Sequence, residues 1–318
     1  MKPTHIKWVL AHEPIDIFIR AAEKFIEVLN QKAPGQFDVE VLTLSEYSDK
    51  YNTEDSANRI SKHDLLDHMD AGRIEMSQMY TYVLSKYNND LDALDLPFLF
   101  RDHEHAAKVF EGPIGEELLA GYSRKSNIQG MAFTYSGGFM NMPVNKRVAS
   151  LSEMAGVKVR VSNSPVASAT WAALGAEPVV MDVEKVTQGI REGAIEAGES
   201  SWPRIYACEQ NTVAESILEP NHRLLLTNII VNKDFLTSLT PDQQRVMKEA
   251  ALEAGRFERA VAVAEVEPTK SRCEQDGIPV VQLSDKDLQL FREKSKQVYD
   301  QFANAFTPGL VDSIRTLH

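Results

Sequence analysis

An apolar run, an amphipathic stretch and an alternating run follow one another within the first 44 residues, and this order constrains the fold more than any other feature of the chain. Residues 6–11 carry Ile, Trp, Val and Leu and read as a strand, broken by His12-Glu13-Pro14. Ile15, Phe18, Ile19, Ala22, Phe25, Ile26 and Leu29 then recur at helical spacing until Pro34-Gly35 stops the helix. Residues 37–44 alternate Phe, Val, Val and Leu with polar side chains, a second strand. Strand, helix and strand at this length make a crossover between parallel strands, and so an α/β fold.

The same rhythm returns later. A short helix over 151–155 precedes a strand over 157–161, a helix over 164–174 ended by Gly175, a strand over 178–181, a helix over 183–192 and a strand over 194–197. Between the two regions, 45–61 reads as a polar loop with one helical turn, 62–71 as a helix ended by Gly72, and 73–79 as a strand. Residues 94–100 are apolar around Pro97, 102–110 and 115–125 are helical, and 127–135 is a strand. Residues 217–230 are strand-like, and a helical stretch runs from Asp242 to about Asp276. At about 1.5 Å per residue it is long enough to span two lobes. Residues 285–317 read as mostly helical.

With 318 residues and about 150 per domain, two lobes are expected. The first is assigned 1–126 plus about 212–252, and the second about 127–211 plus 253–318. No stretch reaches the roughly 18 uninterrupted apolar residues of a membrane helix.

The net charge of −12 argues against nucleic acid and against an anionic membrane surface as partners. It leaves a small anion open, because one buried arginine can dominate a pocket. Cys208 and Cys273 either pair or stay free, and spacing does not decide between these. No zinc pattern, nucleophile elbow or phosphate loop is present, so no metal, cofactor or catalytic set is expected. The first residues carry no leader-like apolar region, which fits a cytoplasmic protein or a processed one, with Met1 native or added.

The segment 151–202 contains LSEMAGVKVRVSNSPVASATWAALGAEPVVMDVEKVTQGIREGAIEAGES. It resembles the core motif of the solute receptors of TRAP transporters, of the DctP type. ALDLPFLFRDHEHAAKVFEGPIG, HRLLLTNIIVNKDFLTSLTPDQQRVMKEAALEAG and QDGIPVVQLSDKDLQLFREKSKQVYDQF resemble three further blocks of that family in the same order. The resemblance covers the chain from about Asp70 onward. It implies a two-lobed periplasmic-binding-protein-like (type II) fold with an interlobe cleft that closes by a hinge. It also implies no chemistry, a periplasmic location, a small organic-acid ligand and the membrane subunits of a transporter as partners.

Arg160 lies near the end of the 157–161 strand, where ligands of α/β sheets bind, and its planar fork suits a carboxylate. The resemblance makes it the carboxylate anchor. Many family members carry a second arginine in a G-x-R context, where this chain has Met140 after Gly138-Phe139. Glu-Asn in the family is Glu199-Ser200 here, and an aromatic is replaced by Val183. These departures imply a monocarboxylate with an apolar or weakly polar body. Trp202 reads as an apolar wall or as a core residue. Ser77 and Gln78 near the end of the 73–79 strand and Tyr80 just after it are first-lobe candidates, with Tyr82 read as a helix-face residue. Glu13 lies after the first strand and suits a ligand ammonium, or else the dipole of the next helix. The alternatives are a receptor for a zwitterion facing Glu13 or Glu199, an enzyme using Glu199 as general acid, and a cytoplasmic sensor.

Overall fold

The structure is a computed structural model and describes residues 2–11, 16–51 and 59–318. Its strands in chain order are β1 (Thr4–Leu10), β2 (Phe37–Thr43), β3 (Met76–Tyr80), β4 (Ile128–Phe139), β5 (Met142–Val144), β6 (Lys158–Val161), β7 (Glu177–Val180), β8 (Ala197–Gly198), β9 (Ser216–Glu219), β10 (Leu224–Asn232) and β11 (Val280–Gln282). They form a five-stranded sheet ordered β2-β1-β3-β10-β4 and a six-stranded sheet ordered β11-β9-β5-β8-β6-β7.

The opening crossover forms as its sequence dictates. β1 runs parallel to β2 and β3, and the helix Asp16–Lys32 connects β1 to β2. That helix buries Ile17, Phe18, Ala21, Ala22, Phe25, Val28 and Leu29, residues three or four apart on one face. Phe25 meets Trp8 of β1 edge-on at 5.0 Å. Gly35, at φ 71°, supplies the left-handed turn back into β2. β10 is buried at every position and runs antiparallel to β3, which puts a strand from late in the chain inside this sheet, between β3 and β4.

Two readings of local structure need correction. The polar stretch after β2 is not a loop with one turn. It folds into the helix Leu44–Tyr51, because Tyr47 and Ser48 give it a buried side. The long helical stretch is two helices, Pro241–Ala264 and Val266–Gln275, broken at Glu265.

The chain divides into two compact units, one of residues 1–88, 110–135 and 226–261, the other of 89–109, 136–225 and 262–318. Three of the five divisions fall within β4, within β10 and near the end of the helix Pro241–Ala264. These bounds differ from those read in the sequence at four places. Residues 127–135 belong to the first unit, where β4 lies beside β10 in the five-stranded sheet. Residues 89–109 belong to the second unit: the Phe98 N–H donates to His222 O at 2.6 Å, and the Phe98 ring meets Phe291 edge-on at 5.0 Å. Residues 212–225 also belong there, because β9 pairs with β5 and β11. Residues 253–261 stay with the first unit, where Glu258 is bonded to Gln78.

The second unit packs Met142, Val144, Val159, Val161, Trp171, Leu218 and Phe291 into one core cluster. β6 is parallel to both β7 and β8, so the C-terminal ends of three parallel strands lie side by side.

Candidate functional site

Arg160 sits third in β6 and is 3% exposed. Its Nε donates to Met181 O at 2.6 Å, and its Nη1 donates to Glu199 O at 3.0 Å. Met181 follows β7 and Glu199 follows β8, so the main-chain oxygens at the ends of both neighbouring strands aim the guanidinium. Gly198 makes the room: a Cβ there would lie 3.5 Å from Arg160 Cβ and 3.0 Å from Val186 Cγ1.

Glu199 lies in a buried polar cluster. Its Oε1 accepts from Trp171 Nε1 at 2.9 Å, from His222 Nε2 at 2.9 Å and from Arg223 Nε at 3.2 Å, while its Oε2 accepts from Arg223 Nη2 at 2.5 Å. Arg223 Nη1 donates to Asp95 Oδ1 at 2.7 Å. Burial by itself would raise the Glu199 pKa, but the Arg223 guanidinium and the His222 bond outweigh it and hold the carboxyl well below the usual range. Burial pushes His222 down against the pull of Glu199, so a neutral ring donates from Nε2.

The other second-unit candidates are placed as follows. Met140 is buried, and its N–H donates to Arg223 O at 3.0 Å. Val183 packs with Val186, Ile190 and Ile195. Ser200 donates its hydroxyl to Gln210 Oε1 at 2.6 Å. Trp202 opens the helix Trp202–Ala207 and packs with Ile205, Ile217, Cys273 and Ile278, with Lys270 Nζ 5.5 Å from its ring centroid.

In the first unit, Ser77 donates to Val9 O at 2.6 Å. The Gln78 amide lies against Glu258, Thr134 and Thr227. Burial raises the Glu258 carboxyl well above its ordinary value, against the Gln78 bond and the charge of Arg259. Tyr80 is buried, stacks on Tyr82 at 5.3 Å and meets Phe18 edge-on at 6.4 Å. Glu13 lies outside the described residues.

Sequence reasoning missed Arg223, His222, Trp171 and Asp95. Their partners are 23 to 128 residues away in sequence, and the only local signal is a His-Arg pair directly before a fully buried strand. Among the described residues no three His, Cys, Asp or Glu side chains gather as a metal site would need, and no helix is long and apolar enough to cross a membrane.

Comparison with known proteins accounts for this layout. The model of the DctP family, bacterial extracellular solute-binding protein family 7, matches residues 10–305. The chain belongs to this family. The C4-dicarboxylate-binding periplasmic protein DctP of Rhodobacter capsulatus is 28% identical over 302 residues, which cover 93% of this chain and 85% of that protein. A TRAP periplasmic solute-binding protein from Ochrobactrum anthropi, solved with its C-terminus in the ligand-binding pocket, is 25% identical with a TM-score of 0.84, covering 98% of this chain and 94% of that one. One from Polaromonas sp. JS666, bound to D-erythronate, is 22% identical with a TM-score of 0.86, covering 99% of each. The DctP-family chain therefore has the two-lobed type II periplasmic-binding-protein fold.

Proposed function

We propose that this DctP-family protein is the receptor of a TRAP transporter, works outside the cytoplasmic membrane, and hands a small organic acid with a single carboxylate to the transporter's membrane subunits. The observation that carries the reading is Arg160: a buried guanidinium at the C-terminal strand ends, aimed by two backbone oxygens. A guanidinium keeps its charge at any physiological pH and meets a carboxylate with two parallel bonds.

A single carboxylate fits the charges nearby. Arg223 is committed to Glu199 and Asp95. The rival is a dicarboxylate, as the name of the Rhodobacter relative suggests. The zwitterion alternative loses Glu199 as a partner, because its oxygens are taken by three neighbours, and rests on Glu13, which lies outside the described residues. Enzymatic use of Glu199 is weakened for a further reason: a general acid must hold a proton, and this carboxyl is held ionised.

A thermal-shift screen over monocarboxylates, dicarboxylates, keto acids and zwitterions tests the proposal, since a ligand raises the melting temperature by mass action. Monocarboxylates are expected to stabilise the protein without turnover. Stabilisation by dicarboxylates alone, or accumulation of a product, refutes it.

A further inference from the structure

Beyond β8 the chain continues extended. Ser200 and Asn141 pair backbone to backbone in both directions, at 3.1 Å from Asn141 N to Ser200 O and 2.9 Å from Ser200 N to Asn141 O. Residues directly opposed in an antiparallel pair carry their side chains on the same face, and alternate residues of a strand share a face. Gly198, two residues before Ser200, stands opposite Arg160 in the β6–β8 register. Arg160, Ser200 and Asn141 therefore share one face at the strand ends. Glu199 points the other way, into Arg223 and His222. The Ser200 hydroxyl brings a fourth residue to the shared face by bonding Gln210 Oε1.

This face holds unmet polar groups. Asn141 is 1% exposed and Gln210 fully buried. Yet Asn141 Nδ2 and Oδ1 and Gln210 Nε2 have no hydrogen-bond partner among the described residues. An amide buried without partners destabilises a fold, and nearly all buried polar groups in proteins are paired. The fold gains nothing from an asparagine at 141 that a leucine of the same shape would not supply.

We propose that Asn141 and Gln210 form a hydroxyl-reading subsite beside the carboxylate anchor, so that the solute is a polyhydroxylated monocarboxylate. The proposal rests on the reading of Arg160 as that anchor. The unmet atoms are two amide nitrogens, which donate, and one carbonyl oxygen, which accepts. A hydroxyl does both and can satisfy either kind of atom. A second carboxylate only accepts and leaves Asn141 Oδ1 unmet. An ammonium only donates and leaves both nitrogens unmet. An alkyl body leaves all three. The apolar body expected from Met140 and Val183 is set aside on this geometry: Met140 alternates with Asn141 and so faces away from it, and Val183 is packed among Val186, Ile190 and Ile195.

Calorimetric titration of the whole chain with D-erythronate, its deoxy counterpart butanoate, and succinate tests the assignment. D-Erythronate is expected to bind the wild type at least about 10-fold more tightly than either of the others, because a site built to bond a hydroxyl rejects the analogue lacking it. Asn141→Leu and Gln210→Met should each cut the erythronate-to-butanoate affinity ratio at least about 10-fold. Asn141→Leu should also leave the ligand-free melting temperature unchanged or raised, which keeps loss of folding apart from loss of recognition. Equal wild-type affinity for butanoate, a ratio that survives both variants, or failure to bind either D-erythronate or the longer D-gluconate overturns the proposal. Arg160→Ala separates it from the anchor reading. Loss of all acids alike supports the anchor. If Arg160→Ala binds unchanged while Asn141→Leu abolishes the preference, the anchor fails and the subsite stands.

Discussion

The guanidinium of Arg223 grips both carboxylate oxygens of Glu199, with Nη2 2.5 Å from Oε2 and Nε 3.2 Å from Oε1, and both side chains are buried. A buried pair of this kind is costly to break from one side, because the remaining charge has lost its partner. Glu199→Gln should therefore destabilise the protein by about 3 kcal/mol, at the low end of the range for such losses, since Asp95 still neutralises Arg223. Urea unfolding at pH 7 measures this.

The same pair sets an acid limit. The folded-state pKa of Glu199 is depressed, so its contribution to stability is present above the unfolded value near 4.3 and is lost as pH falls toward the folded value. Unfolding free energy of the wild type should drop below about pH 4.3, and Glu199→Gln should flatten that drop. An identical slope in both proteins would mean that other carboxylates govern the acid limb.

Glu258 should behave in the opposite sense. It is buried and accepts from the Gln78 amide, which also meets Thr134 and Thr227, with Arg259 beside it, and its folded-state pKa is raised. Its contribution to stability is complete below the unfolded pKa and declines as pH rises toward the folded one. Between pH 4 and pH 7, Glu258→Gln should gain on the wild type by at most about 1.4 kcal/mol per pH unit. Paired unfolding curves at several pH values show whether the gap widens with that sign.

Arg160→Ala should lower affinity for the solute at least about 10-fold, because a hydrogen bond to a charged group contributes roughly 1.5–3 kcal/mol. Arg160→Lys should not restore it: an ammonium has no fork and cannot bond two strand ends and a carboxylate in one plane. Titration calorimetry with whichever acid stabilises the wild type reads both variants.

Cys208 and Cys273 are separate thiols, and burial pushes both above their ordinary pKa. Protein purified without reductant and then denatured should titrate two thiols per chain, while the folded protein should react slowly. Absence of free thiol after denaturation would show that the two are joined.

Much of the scaffold was legible because it is local. Helical spacing from Phe18 to Leu29 and the strand pattern after Phe37 each lie within a few turns or one strand, and both elements formed as read. The helix Leu44–Tyr51 escaped because its two buried residues, Tyr47 and Ser48, are polar and do not mark an apolar stripe. The placement of Asn89–Asp95 escaped because it depends on bonds from Phe98 and Asp95 to His222 and Arg223, more than a hundred residues on. The place of Arg160 near the end of a strand was legible from that strand's own apolar pattern. Asn141 and Gln210 carry no local pattern; they meet only where Ser200 bonds to both.

Met181 and Glu199 orient Arg160 through main-chain oxygens, a group every amino acid possesses. Mutation of either side chain leaves those oxygens where the sheet puts them. The charged fork is thus insulated from the sequence drift around it, while its neighbours at 141 and 210 are free to vary. If Arg160 is the anchor proposed above, a lineage built on this frame could exchange one nutrient for another by a few substitutions beside the arginine, without first passing through an ancestor that has lost its grip on acids.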